Sequence, residues 1–527
     1  MIGKFGPRLT GSSNLIKACE WAKAKFESFG LKAELYKWGE WEVGFDRGKL
    51  SGQILSPEAK KIDVGTNSWA AGTNGPEKGP AVLFPKDADD VKANKASFKD
   101  AWVLIPRGKV LAAAKYNEEE KSGNLEWELQ EAGIHGFIGS AGGELILTSG
   151  RPLTDFSKLP TRVTVRVTSE VFKELTKYAT DGKPAVVEFN LENKFVKGPV
   201  PLYDVIADIR GTEKPDEYVI IGGHIDSWDG AQGATDNGTG VATTLEVARV
   251  LAKLGVKPKR TIRFMLWSGE EQGLLGSQAW IAKNQEMLAK ISAVLVHDEG
   301  TNYVAGMNIP KAMEEALDPI AEPLKSLDPK YPFVVNHKGL PMGVGSDHDS
   351  FLQAGVPGFF WDQKGDVDYN HGHHTQFDTL SVVRHDYQKH STKIIASVAL
   401  GIANLPEMLP RENMTAPRGA RGLRRRRAFG QAPRNPPERR RRGLLVGDVN
   451  EGGVADKCGM KANDLITKIG DTPIANVEEL RAALAKAPNK TTITIKRDGK
   501  EMVLNAEWPE AKKPAGEPNK PASAPAR

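Results

Sequence analysis

From Pro201 onward the chain alternates short apolar runs with helical stretches so regularly that few folds can hold it. The strand-like runs are "EYVIIGG", "TIRFMLW", "ISAVLV" and "VPGFFW"; helical patterns over 239–254, 273–288, about 311–326 and 379–403 alternate with them. Their alternation with helices predicts an α/β protein: a mostly parallel, doubly wound sheet covered by helices on each side.

Other segments have different textures. Near the start, Ser12 or Ser13 can cap a helix that places Leu15, Cys19, Ala22 and Phe26 on one face, with Gly30 to stop it, and "LKAELYKW" reads as a following strand. Between 80 and 195, short β-like runs such as "AWVLIP" and "TRVTVRV" surround one helical stretch ending in "LQEAGIHGFIGSAGG", which reads as an inserted β-rich module. Residues 1–79 and 196–410 then form the parts of one larger domain. An arginine-rich connector occupies 411–427, a small domain 428–509, and the tail 510–527 is compositionally disordered.

Charge is concentrated in the connector region. The net charge is +5, but residues 418–442 hold eleven Arg and one Glu, so this segment carries +10 and everything else sums to −5. With Phe429 as its one aromatic, the basic run reads as a solvated linker, and no nucleic-acid partner is expected. Cys19 and Cys458 are too far apart in sequence to suggest a disulfide framework or a thiolate metal site. No apolar run approaches the roughly 20 residues of a membrane helix, so no transmembrane segment is expected.

In open α/β sheets, ligands bind beyond the carboxyl ends of the strands. The residues found there are chemically alike. "EYVIIGG" is followed by His224, Asp226 and Asp236, and "TIRFMLW" by Glu270 and Glu271. "ISAVLV" leads to His297 and Asp298, and "VPGFFW" to His371, His373, His374 and Asp378. Imidazoles and carboxylates at four strand ends, with no thiolate and no Ser or Cys nucleophile motif, suit zinc or a similar divalent ion. The surplus of carboxylates suggests two ions sharing one acid at the roughly 3.5–4 Å spacing of two-metal hydrolases. In "WSGEEQG" the adjacent acids cannot point the same way, so one can bind metal while its neighbour takes a proton.

The blocks "GGHIDSWDGAQGATDNGTGVA", "LWSGEEQGLLGS", "HDEGTNY", "GSDHDSFLQAGVPG" and "HHTQFDT" together resemble the zinc exopeptidase family of bacterial leucyl aminopeptidase and plasma glutamate carboxypeptidase, in family order. The resemblance implies two Zn2+ ions. His224, Asp236, Glu271, Asp298 and His374 would be the metal ligands, with Asp236 bridging, and Glu270 the general base. Asp226 and Asp378 would hold ligands in place without touching metal. His374 is preferred over its neighbours because it alone stands four residues before the "DT" pair, and Asp298 over Glu299 because "DEGT" follows the family's D-x-G-T. Asp229 is read as a loop residue for which no role is claimed, Trp228 as core or pocket wall, and Asp347 and His348 equally as helix cap or pocket contact.

The activity implied is hydrolysis of peptide or dipeptide substrates at a chain terminus, most simply by an aminopeptidase. The alternatives are a dipeptidase-like carboxypeptidase, toward which "GPRLTGS" leans, and a noncatalytic receptor on the same scaffold. The insert resembles a protease-associated domain, and "DLITKIGDTPI" with "NVEELRAALAKA" resembles a bacterial PDZ domain, a fold that binds a peptide terminus by strand addition. Its carboxylate loop would be 428–433. The family is usually exported, so a periplasmic or secreted protein with a truncated start is expected.

Overall fold

The computed structural model describes residues 1–106, 108–109, 111, 124–415, 444–445, 454–461, 464–474, 480, 483–484, 487–497 and 500–508. The chain divides into two compact units, Met1–Gly419 and Ala420–Arg527. The basic run and residues 428–433 lie outside the described residues.

In the first unit, helix α1 (Ser13–Ser28) leads into β1 (Lys32–Ser56), which pairs antiparallel with β2 (Val186–Ile209) along nearly its whole length. After β2 come β3 (Lys214–His224), α2 (Thr239–Lys253), β4 (Arg260–Trp267), α3 (Leu275–Lys283), β5 (Ile291–Val296), α4 (His348–Gln353), β6 (Gly358–Phe360) and α5 (His385–Ala403). Among the described residues these strands are part of a 12-stranded mixed sheet, in the order β6-β5-β3-β4-β2, with β6, β5, β3 and β4 mutually parallel and β2 antiparallel to β4.

Sequence alternation explains how this sheet takes two helical layers. Val219 and Ile221 of β3, with Phe264 and Leu266 of β4, enter one core with α1, α2 and α5. Ile220, Met265 and Trp267, which alternate with them along the strands, enter another core with Trp280 of α3 and Phe351 of α4. The expected α/β sheet is therefore present, extended by an antiparallel ribbon. That ribbon exceeds "LKAELYKW" because register shifts at Lys37/Gly39, Trp41/Val43 and Arg47/Leu50 let one strand bend and twist over 25 residues. Its far half supplies Ile54, Val187, Phe189 and Leu191 to a core shared with Trp102, Leu104 and Ile138, and its near half supplies Val205 and Ala207 to the main core. One ribbon thus builds both.

Two local expectations change. Residues 80–195 contain helices over Ala88–Ala93, Lys95–Phe98 and Ser169–Thr180, the last capped by Thr168 and burying Leu175, beyond the single helical stretch expected there. The last helix begins at His385 instead of 379, because the preceding residues are bonded elsewhere: Leu380 N–H donates to Gln232 Oε1 and Arg384 N–H to Thr301 Oγ1. Ser12 does cap α1, accepting from Leu15 N–H at 3.1 Å.

The second unit is a small antiparallel sheet of Leu444–Leu445, Leu465–Ile469, Lys490–Arg497 and Lys500–Glu507, with Thr472–Pro473 beside Leu465–Ile469. Ile466, Ile469, Ile493, Ile495 and Leu504 fill its core.

Candidate metal centre

The chain passes from β3 to β4 on one side and then to β5 on the other, so the strand order reverses at β3. Such a switch point opens a crevice beyond the carboxyl ends of the strands. His224 ends β3, Ser268–Glu271 follow β4 and Asp298 follows β5, which brings their side chains to one crevice.

Two imidazole–carboxylate groups meet there across Asp236. His224 Nε2 lies 3.1 Å from Asp236 Oδ1 and 3.1 Å from Asp298 Oδ1, with Glu270 Oε2 at 4.0 Å. On the other side, His374 Nε2 lies 3.1 Å from Asp236 Oδ2 and 3.0 Å from Glu271 Oε2. His373 Nε2 approaches Asp236 less closely, at 3.7 Å, and stacks on His374. Ligand atoms of His224, Asp236 and Glu271 fall within 4.8 Å of one another, as do those of Asp236, His373 and His374.

Around these groups lies a scaffold of hydrogen bonds. His224 Nδ1 lies 3.1 Å from the Asp226 backbone carbonyl oxygen and 3.4 Å from Asp226 Oδ1. The Asp378 carboxylate accepts three successive backbone N–H groups, from Ala234 (2.7 Å), Thr235 (2.6 Å) and Asp236 (3.3 Å), and so shapes the turn that presents Asp236. Gly233 lies in the left-handed region at φ 63°, and a Cβ there would meet Ser227 Oγ at 2.3 Å. Trp228 N–H donates to Glu271 Oε1 at 3.1 Å while its ring faces His374 edge-on. Residues 144–148 take part directly: Thr148 N–H donates to the His374 carbonyl at 2.7 Å, and Gln376 bonds the main chain at Ile146 and Glu144.

The electrostatics call for positive charge. Burial pushes the Glu270 carboxyl well above its usual range, and with Asp236 it pushes Glu271 up to about 7. Burial works against protonating His374, but Glu271 and Asp236 outweigh it and push the imidazole up to about 11. Asp226, Asp236, Glu271 and Asp378 all act on one fully buried guanidinium, Arg8, which cannot offset them alone. Oxygen and imidazole donors in carboxylate excess are the set a divalent cation such as zinc takes.

The eight residues singled out from the sequence are all in this constellation. His297 is not. Its ring is buried, reaches no hydrogen-bond partner among the described residues and is driven down to about 4 by burial, while its carbonyl accepts from Asn237 Nδ2. Asp347 stands at the N-terminus of α4 but makes no capping hydrogen bond with its side chain, and burial pushes its carboxyl up to about 7.

Asp229 is a correction. Instead of a free loop residue it is buried against Arg47 of β1, with Nη2 donating to Oδ1 at 3.0 Å, Nε 3.0 Å from Oδ2, and Ser68 Oγ donating at 2.7 Å. Both partners of the pair are 3% exposed, so removing one leaves the other charged and dry. Arg47→Met is expected to cost about 3–5 kcal/mol of stability, read as a lower urea midpoint for the first unit; an unchanged midpoint would show that the pair contributes no net stability.

Three further residues escaped the sequence reading: Arg8, Thr10 and Thr148. Thr148 lines the small cleft beside Trp228, Glu271 and His374.

Comparison with known proteins gives matches in both units. Residues 204–399 match the family model for Peptidase family M28, and residues 445–497 the one for the PDZ domain. Carboxypeptidase Q of Mus musculus is 27% identical over 424 residues, covering 78% of this chain and 86% of that protein. Carboxypeptidase Q of Homo sapiens is 27% identical over 417 residues, covering 78% and 85%. A crystal structure of a Peptidase M28 precursor from Shewanella amazonensis superposes with a TM-score of 0.54 at 25% identity, over 78% of this chain and 93% of the other.

Proposed function

We propose that this chain, which carries a Peptidase family M28 domain over residues 204–399 and a PDZ domain over 445–497, is a zinc-dependent exopeptidase. The observation that carries the reading is Asp236 standing between two imidazole–carboxylate groups, its oxygens 3.1 Å from His224 on one side and 3.1 Å from His374 on the other. His224 with Asp298 would hold one ion and His374 with Glu271 a second, with Asp236 shared.

When bound, zinc supplies Lewis acidity toward the scissile carbonyl and lowers the pKa of water. The chain's residues do the rest. Glu270 is not among the shorter contacts of either imidazole, and its carboxyl has a raised affinity for protons through burial. It accepts a proton from the attacking water as the new C–O bond forms and returns it to the leaving amine nitrogen as the C–N bond breaks. Asp226 orients the His224 ring, Asp378 fixes the turn carrying Asp236, and the Trp228 N–H aims Glu271. Held partners of this kind set the orientation of metal ligands.

The relatives named carboxypeptidase Q favour a second, narrower reading, in which unblocked dipeptides are the substrates. Aminoacyl chromogenic substrates, unblocked dipeptides and peptides blocked at both ends separate the possibilities. Hydrolysis of either unblocked class is expected, abolished by a chelator and restored by zinc, with doubly blocked peptides inert. Cleavage of aminoacyl substrates marks an aminopeptidase, and cleavage of dipeptides alone the carboxypeptidase Q type. Cleavage inside doubly blocked peptides would overturn the exopeptidase reading, and failure to cleave any of them with zinc supplied would leave a noncatalytic binding protein. The PDZ domain would add a site for a peptide terminus.

A further inference from the structure

The segment around Arg8 and Thr10 is the least expected part of the centre. It precedes every strand of the main sheet, yet it hydrogen-bonds both the loop that follows β3 and the turn that follows β4. Arg8 is fully buried: its Nε donates to the Ile225 carbonyl at 2.7 Å, Nη1 to that of Gln232 at 3.1 Å and Nη2 to that of Gly233 at 2.9 Å. Arg8 N–H donates to Ser227 Oγ, and Ser227 N–H donates back to the Arg8 carbonyl. The strap is therefore bonded to both ends of the His224–Asp236 loop.

Two residues further on, Thr10 joins that loop to the next one. Its hydroxyl is fully buried and uses both of its capacities: it donates to Asp226 Oδ2 at 2.8 Å and accepts from Gly269 N–H at 3.1 Å. Asp226 in turn accepts from Glu270 N–H (3.4 Å) and Glu271 N–H (3.3 Å). Three successive N–H groups, those of Gly269, Glu270 and Glu271, thus rest on one cradle made by the Thr10 hydroxyl and the Asp226 carboxylate. The Gly269 contact is the shortest of the three, and Gly269 takes a left-handed φ of 76° just before the two acids. Asp226 also faces His224 Nδ1, so the cradle fixes the spacing between the first imidazole and the following pair of glutamates.

We propose that Thr10 is a positioning residue for Glu270: through its hydroxyl it locks the Gly269–Glu271 turn to Asp226 and so aims the base. This rests on the reading of Glu270 as base. Thr10→Val keeps the shape and removes both hydrogen bonds, leaving the Gly269 N–H buried without its partner. Thr10→Ser keeps the hydroxyl. The effect expected of the valine variant is a fall in kcat of about 10- to 100-fold, the range typical when a supporting hydrogen bond behind a metal site is lost, with KM within about twofold. Zinc per chain, and its affinity measured by competition with a chromogenic chelator, should stay near the parent's, and Thr10→Ser should recover most of kcat.

Three results would overturn the proposal: a valine variant with parental kcat, a loss of kcat that tracks loss of zinc and is reversed by excess zinc, or a serine variant as impaired as the valine one. Should Thr10→Val not fold, Thr10→Ala against Thr10→Ser makes the same comparison. Glu270→Gln measured alongside keeps the two readings apart, since an active Glu270→Gln removes the base itself. An active Thr10→Val beside an inert Glu270→Gln removes only the role of Thr10.

Discussion

Glu270→Gln is expected to retain zinc and to lose about 10²- to 10⁴-fold in turnover, the range over which a positioned general base contributes. The replacement is nearly isosteric and keeps the backbone N–H that rests on Asp226, so the turn should survive. What disappears is the acceptor for a proton. Glu270 is suited to that task because its side chain is only 10% exposed and because burial, opposed by His224, makes the carboxyl hold a proton more readily than a solvated glutamate would. Glu271, next in the chain, points elsewhere: its Oε2 sits 3.0 Å from His374 Nε2 and its Oε1 accepts from Trp228 N–H. The two glutamates therefore have separate duties despite being adjacent. The measurement is kcat with KM and zinc content on the same preparation. Near-parental turnover would remove Glu270 as base, and loss of zinc would reassign it as a ligand.

Of the candidate ligands and base, His224, Glu270, Glu271 and Asp298 could be found from sequence because each stands at or within a few positions of the end of an apolar strand, whereas Asp236 and His374 lie further along the loops that follow β3 and β6. Local pattern suffices when position along a strand decides position in the crevice. It fails where a partner comes from far away. Arg47 meets Asp229 across 182 residues, Thr10 meets Asp226 across 216 and Gly269 across 259, and nothing in "GPRLTGS" or "GFDRG" signals those encounters. Asp229 looked like one acid too many in a polar loop; its burial depends on a ribbon strand whose bulges cannot be placed from composition.

Other misses were avoidable. Val171, Phe172, Leu175 and Tyr178 recur at helical spacing after Thr168, a signal for the Ser169–Thr180 helix that the surrounding β-like texture masked. The start of the last helix is different again. Residues 379–384 have a helical pattern and are held out of the helix by bonds to Gln232 and Thr301, so tertiary contacts override local preference next to the centre.

Asp236→Asn is expected to have the other large effect, and by a different route. Asp236 offers one oxygen to each imidazole group, so a neutral amide keeps one acceptor and turns the other atom into a donor. An NH2 group cannot ligate a cation, and the lost negative charge is one that both sites share. In the ion-pair chemistry of the chain alone, Asp236 is held well below the usual carboxylate range: His224 and His374 together overcome the opposing effect of burial. The asparagine has no such charge to lose or gain with pH. If two ions share this carboxylate as proposed, zinc bound per chain should fall from about two to about one or less, and turnover by about 10³-fold or more, since both ions and the geometry between His224 and His374 would depend on it. The contrast with Glu270→Gln is the informative part. One variant should keep the metal and lose the proton transfer, and the other should lose the metal while Glu270, Asp226 and Thr10 remain bonded as before. Asp236→Asn with a parental zinc content and parental turnover would mean that Asp236 does not join the two sites, and the pairing of His224 with Asp298 and of His374 with Glu271 would then have to stand without a shared ligand.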